Sequence, residues 1–234
     1  PGTTRDAIDT YATIGAQKYC FIDTAGMRKR GKITDNIERY SIMRSLGAVD
    51  RSDVVIIMID AKDGVTEQDT KIAGYAHDQG KACIIAVNKW DLIEKETGTL
   101  EKYKTDVYNS FNFMMYAPVV FISALTGKRV PSIFDTINFV NEEAAKRIST
   151  GMLNDVLNEA VAVVQPPSDK GRRLKIFYMT QIGVKPPTFA IFCNSIKLFR
   201  FSYLRYIENQ IRKNFGFEGT PLVFKLRERG EKNE

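Results

Sequence analysis

Residues 82–91 read ACIIAVNKWD: six apolar residues that end in Asn-Lys-Trp-Asp. So short and unbroken an apolar run predicts a strand buried on both faces, the pattern of a parallel sheet covered by helices. The polar tetrapeptide then falls at the carboxyl end of the strand, where open parallel sheets bind ligands. An ionised Asp91 is acceptor-only and can receive two parallel bonds from a ring N–H and an exocyclic amine, a donor pair that guanine has and adenine lacks. The Asn88 amide can bond the base and brace neighbouring loops, and the Lys89 stem can lie flat on a purine. A site built on a buried polar pair rejects the wrong base by roughly 10⁴–10⁵-fold, because the mismatched group is left unpaired.

Outward from this stretch, residues 11–147 alternate short β-branched runs with longer helical ones. Strands are expected at 11–14, 18–23, 53–60, 82–88 and 118–123, and helices at 35–46, 66–80, 99–111 and 130–148, several with Thr, Asp or Pro where a helix should start. This order predicts an α/β unit with helices on both faces of a parallel sheet. Near residues 148–151 the pattern changes. Ser149 or Thr150 can cap a helix through 152–164, followed by strands at 174–182 and 188–195, a helix at 201–215 and a last strand at 221–229. Helix, strand, strand, helix, strand makes a small α+β domain, so the chain divides into residues 1–148 and 149–234.

Charge follows the same division. Residues 1–148 carry 20 Lys and Arg against 20 Asp and Glu, while residues 149–234 carry 14 against 8. The basic C-terminal domain points to a polyanionic partner that the neutral one lacks. No apolar run approaches the roughly 20 residues that span a bilayer, and no signal peptide opens the chain, so a cytoplasmic protein is expected. Cys20, Cys83 and Cys193 are far apart, odd in number and set in apolar runs, which predicts reduced core thiols. His77 has no Cys or His at zinc-ligand spacing and is read as a polar residue on a helix surface.

Two further strand ends carry polar loops. The strand ending in Asp23 leads into Asp-Thr-Ala-Gly; its carboxylate can hold Mg²⁺ through water, and Gly26 lets a backbone N–H approach a phosphate closely. The strand before Ser123 leads into Ser-Ala-Leu-Thr-Gly, where the N–H groups of Ser123, Ala124 and Leu125 can meet a base carbonyl. Near the start stands PGTTRD, residues 1–6.

The order of these motifs resembles the translation-factor-related GTPases. With PGTTRD, DTAGMRKRGK, DGVTEQD and NKWDL in register and the α+β domain behind, the whole chain resembles the second GTPase domain and KH-like domain of the Der/EngA ribosome-assembly GTPases. The resemblance implies a P-loop-NTPase-type sheet, GTP and GDP as ligands, a preceding GTPase domain and action on the large ribosomal subunit and its rRNA. It implies that Thr4 coordinates Mg²⁺ with Asp23 and senses the γ-phosphate, with Thr3 the lesser candidate. A phosphate-binding loop G-x-x-x-x-G-K-[ST] is absent from the sequence, so the expectation is a domain that begins after its first strand and cannot by itself grip the phosphates. Where Ras-like enzymes carry a water-orienting Gln, residue 27 is Met, which predicts slow intrinsic hydrolysis. The family uses K⁺ instead, but the Asn that ligates it belongs to the absent loop.

Candidate RNA contacts are Arg28, Lys29, Arg30 and Lys32 after the DTAG motif, and in the basic domain Arg172, Arg173, Lys175, Arg200, Arg205, Arg212 and Lys213. Docking against the GTPase domains is a competing role for the latter. The one G-x-x-G match, residues 216–219, lies between a helix and the last strand and includes Glu218, so it is read as a turn and not as the RNA-gripping loop of a KH domain. Two alternatives remain: a binding module that acts on RNA without nucleotide chemistry, and an Era-like GTPase, whose KH domain would carry the G-x-x-G loop.

Overall fold

The structure is a computed structural model that describes residues 8–23 and 45–229, with the backbone alone at Ile8 and Asp23. Three strands, β3 (Val54–Asp60), β4 (Ala82–Asn88) and β5 (Val119–Phe121), form a parallel sheet in the order β3-β4-β5. Helices α1 (Glu67–Asp78), α2 (Thr99–Ser110) and α3 (Ser132–Ala145) cover it. The apolar run of β4 explains itself in the packing. Cys83, Ile85 and Val87 join the core beneath α1 and α2, and the alternate residues Ala82, Ile84 and Ala86 pack with Val140, Ala144 and Ile133 of α3 on the other face. Helix α1 starts where the sequence supplies a capping box: the Thr66 hydroxyl accepts from Asp69 N–H, and the Asp69 carboxylate accepts from Thr66 N–H.

The first two strands depart from the simple parallel reading. Strands β1 (Ile8–Ile14) and β2 (Gln17–Asp23) form an antiparallel hairpin, and among the described residues neither pairs with β3. The hairpin is held instead by side chains. Tyr19 and Phe21 stand edge-on to Phe134 of α3, at 5.2 and 5.9 Å between ring centroids, and the Tyr19 hydroxyl donates to Asn138. Alternation across this two-stranded ribbon turns Cys20 outward, so it is an exposed thiol and not the core residue expected, while Cys83 and Cys193 are buried as expected.

The C-terminal domain is α4 (Thr150–Val163), a short hairpin of β6 (Ser168–Asp169) and β7 (Arg172–Arg173), then β8 (Ile176–Gly183), β9 (Thr188–Cys193), α5 (Phe201–Phe215) and β10 (Val223–Glu228). Ser149 caps α4 by accepting from Met152 N–H. The sheet order is β10-β9-β8, with β9 parallel to β10 and antiparallel to β8. Leu153 and Leu157 of α4 and Ile207 and Ile211 of α5 close one face over Met179, Phe189 and Ile191.

Residues 216–220 join the two domains. The turn lies against the sheet of the first domain: Cys83 N–H donates to the Gly219 carbonyl and Gly219 N–H to the Tyr116 carbonyl, both at 2.7 Å. Phe217 is fully buried, and its N–H donates to the Glu143 carboxylate at 2.5 Å. Lys146 pairs with the same carboxylate and donates to the Phe215 carbonyl. The expected turn is thus part of the junction, with Phe217 and Gly219 buried against the first domain and Gly216 and Glu218 exposed.

The junction also corrects two readings of single side chains. Arg212 stacks its guanidinium over the Tyr116 ring at 4.8 Å, donates to Glu208 and gives a 2.8 Å bond to the Phe217 carbonyl. Expected as an RNA contact, it is engaged at the junction. His77 is half-buried beside the same ring, with Nδ1 2.9 Å from the Tyr116 hydroxyl, and is not the surface residue expected.

Candidate functional site

Strand β4 delivers Asn88, and the chain turns at once. Lys89 adopts φ 63°, a left-handed conformation that costs a non-glycine residue about 1–2 kcal/mol. Three contacts hold it there. Asn88 Oδ1 accepts from Lys89 N–H at 2.8 Å, and Trp90 N–H donates to the Ile122 carbonyl at 3.0 Å. The Trp90 ring is buried against Phe121 and Tyr103, at 4.4 and 5.3 Å between centroids. The apolar residue of the tetrapeptide, Trp90, is therefore its anchor, and it leaves Asp91 exposed at the rim of a cavity of about 580 Å³.

The same Asn88 oxygen also accepts from Ala124 N–H at 2.9 Å, so one amide ties the β4 turn to the loop after β5. This is the bracing expected of Asn88. It changes the expectation for the loop, because Ser123 N–H is likewise spent, on the Lys128 carbonyl at 3.1 Å. Of the three N–H groups expected to meet a base carbonyl, Leu125 alone has no partner among the described residues. Its side chain is 87% exposed at the loop tip.

Asp60 was not singled out in the sequence, although the signal was there. It ends the apolar run of β3 as Asn88 ends that of β4, and the two are register partners. Its carboxylate, with 5% of the side chain exposed, stands 2.6 Å from Lys89 Nζ and also accepts from Lys62 N–H at 3.0 Å. The ammonium is thereby fixed, and with it the course of the stem. Lys128 and Arg129 line the same cavity beside Ser123 and Thr126 and were not foreseen either.

The other expected site residues fall elsewhere. Thr4, Gly26, Arg28, Lys29, Arg30 and Lys32 lie outside the described residues, as does Met27; of Asp23 only the backbone, at the end of β2, is described. Among the described residues no group of three or more His, Cys, Asp or Glu is placed to hold a metal ion. Arg172, Arg173, Lys175, Arg200, Arg205 and Lys213 are all exposed, the first two on β7 and Arg205 and Lys213 on α5. No helix among the described residues is long and apolar enough to cross a membrane.

Comparison with known proteins agrees with this arrangement. Residues 1–89 match the family described as 50S ribosome-binding GTPase, and residues 147–227 match the KH-domain-like, C-terminal part of EngA bacterial GTPase enzymes. The chain is 67% identical to GTPase Der of Ruminiclostridium cellulolyticum over 233 residues, which is 100% of this chain and 53% of that protein. It is 65% identical to GTPase Der of Acetivibrio thermocellus, over 98% of this chain and 52% of the relative. The chain thus spans about half the length of the curated relatives it matches.

Among solved structures, Era in complex with MgGDPNP and a stretch of 16S ribosomal RNA is similar at TM-score 0.51 and 19% identity, over 98% of this chain and 83% of that one. Era of Aquifex aeolicus gives TM-score 0.51 at 18% identity, over 99% and 83%. These are likenesses of fold alone. Matched in both its domains and aligned nearly end to end with GTPase Der sequences, the chain belongs to the Der/EngA family of GTPases.

Proposed function

We propose that the protein containing this chain binds and hydrolyses GTP as a cytoplasmic factor in assembly of the large ribosomal subunit. Residues 1–148 act as the GTPase unit and residues 149–234 as a KH-like unit that meets rRNA. The observation that carries the reading is the clamp at Asn88, whose single amide oxygen holds together the loops after β4 and β5, the same loops from which Asp91 and Ser123 line the cavity. Asp91, at the rim of the cavity, accepts from the ring N–H and amine of guanine, Leu125 N–H donates to the base carbonyl, and the Lys89 stem, aimed by Asp60, covers the purine.

Thr4 and Asp23 offer a hydroxyl and a carboxylate, the hard oxygen donors that Mg²⁺ accepts, and they would hold that ion. When bound, Mg²⁺ offsets charge on the phosphates. Gly26 presents its N–H to the γ-phosphate, and the cations Arg28, Lys29 and Arg30 next to it contact RNA in one nucleotide state. The description of the family matched by residues 1–89 supports the 50S subunit as partner. Its rRNA is met by exposed cations of the C-terminal domain, among them Arg172, Arg173, Lys175 and Arg205.

The test is Asp91→Asn in the full-length protein. The substitution replaces one acceptor with a donor and should move preference from GTP towards xanthosine triphosphate, whose ring carries a carbonyl where guanine has its amine. Unchanged selectivity for GTP refutes the guanine assignment. A second reading, an RNA-binding module without nucleotide chemistry, is favoured by the excess of 14 cations over 8 acids in residues 149–234. On that reading Asp91→Asn leaves ribosomal-subunit binding identical with and without GTP.

A further inference from the structure

The C-terminal domain has a second end, opposite the junction. Strand β9 begins at Thr188, close to where Val223 N–H donates to the Pro187 carbonyl, and ends at Cys193. At ~3.3 Å per residue this carries the chain roughly 20 Å away from the first domain. At the far end three segments are stitched together. Asn194 donates from its side chain to the Arg173 carbonyl at 3.0 Å and accepts from Lys175 N–H at 2.9 Å, while Arg229 N–H donates to the Cys193 carbonyl at 2.9 Å. Of the acids of this region, Glu228 is spent on the Ser195 hydroxyl at 3.2 Å and Ile196 N–H at 2.7 Å, and Asp169 is exposed opposite Arg172 in the β6–β7 hairpin.

What else remains outward is basic and aromatic. Arg173, Lys197, Arg200 and Arg227 are exposed, and among the described residues none of the four is in an ion pair. Beside them Phe201, the first residue of α5, is 77% exposed, and Phe177, the second of β8, is 41% exposed. A phenylalanine left in water next to cations is the composition of surfaces that stack unpaired bases while holding their phosphates.

We propose that this pole is a binding surface for single-stranded RNA, with the four cations on phosphates and Phe201 and Phe177 on the faces of unpaired bases. The inference rests on the reading that the C-terminal domain meets rRNA, and it names where. Charge selects RNA over an acidic protein surface less sharply than the exposed rings do, since bases supply a flat face at every residue of the strand. The pole lies away from the one G-x-x-G match, residues 216–219, which packs against the first domain through Phe217 and Gly219.

The experiment measures fluorescence anisotropy of a labelled single-stranded RNA and of a duplex of equal length against the full-length protein, across a salt series. One variant combines Arg173→Ala, Lys197→Ala, Arg200→Ala and Arg227→Ala; the other is Phe201→Ala. All five positions are exposed, so the unfolding midpoints should match wild type. The quadruple variant should bind single strands at least 30-fold more weakly, with the slope of log affinity against log salt shallower by about 3, at ~0.7 per lost phosphate contact. Phe201→Ala should lose about 10-fold on single strands and nothing on the duplex. If wild type binds RNA and the quadruple variant stays within twofold, the pole is wrong while the RNA reading stands. Equal loss on both RNAs for Phe201→Ala overturns the stacking role. No RNA binding by wild type at low salt overturns pole and RNA reading together, as a protein partner for this surface would require.

Discussion

Cys83 N–H donates to the Gly219 carbonyl at 2.7 Å, so the strand that ends in Asn88 is hydrogen-bonded at its start to a turn of the KH-like domain. The Asn88–Asp91 loop and the C-terminal domain sit at opposite ends of one strand of seven residues. That strand is buried on both faces, so it transmits position and does not bend to absorb it. The candidate site and the junction are therefore parts of one rigid element.

Gly219 is the residue that permits this approach. It has φ +79°, and a Cβ there would stand 2.2 Å from Val140 Cγ1. Gly219→Ala combines a left-handed alanine with an overpacked core and should cost about 2–4 kcal/mol. Thermal unfolding should fall by roughly 5–15 °C. Gly74→Ala, inside α1 where a Cβ meets nothing within 4 Å, is the control and should be neutral or stabilising by up to ~1 kcal/mol. Equal midpoints for the two variants would show that the junction tolerates a side chain at residue 219.

Much of this was legible in the sequence. The apolar run of β4, the polar loops after β4 and β5 and the Ser149 cap read directly, because each is set by neighbours within a few residues. Asp60 was missed since its partner Lys89 is 29 positions away on an adjacent strand, and nothing local marks a carboxylate that will be buried. Arg212 and His77 differ from expectation for the same reason: both look like helix-surface residues until the two domains meet around Tyr116. The G-x-x-G turn could be excluded as an RNA loop from its place before the last strand, but its burial depends on Tyr116 and Glu143 of the first domain, which no spacing reveals.

His77 makes the junction sensitive to pH. Burial holds its ring below the ordinary value of 6.5, with Arg212 adding to the effect and Asp78 and Glu208 opposing it. The phenol of Tyr116 is pushed well above its usual range by burial, so it stays protonated, with its oxygen 2.9 Å from the His77 Nδ1. The unfolded chain binds the proton first as pH falls. Stability is therefore full above about pH 6.5 and declines below it until the folded-state value is reached. In His77→Gln that decline should be shallower in denaturant titrations at pH 5 to 8; an unchanged profile would mean that other groups govern it.

Asp60 is a positioning residue on the proposed reading, and its substitution separates position from stability. In Asp60→Asn the Lys89 ammonium loses its 2.6 Å charged partner while the strand keeps a side chain of the same shape. Freeing one long side chain costs binding about 1 kcal/mol, or roughly fivefold in Kd for GDP. Calorimetry with GDP in the full-length protein should show this loss. Affinity equal to wild type would assign Asp60 to the β3 strand end alone.

Trp90 supplies the most direct readout of the site. It is the single tryptophan among these 234 residues, it is buried, and it lines the cavity that Asp91 borders. A purine entering that cavity changes the surroundings of the indole, so the emission of Trp90 in the full-length protein should shift on adding guanine nucleotide and stay constant with adenine nucleotide. Trp90→Ala removes the anchor of the left-handed Lys89 turn and should cost about 3–5 kcal/mol of stability. Trp90→Phe keeps an aromatic contact with Phe121 and should retain most of both stability and nucleotide binding. If Trp90→Phe instead binds as weakly as Trp90→Ala while remaining folded, the indole itself contacts the base, and the turn is not held by packing alone.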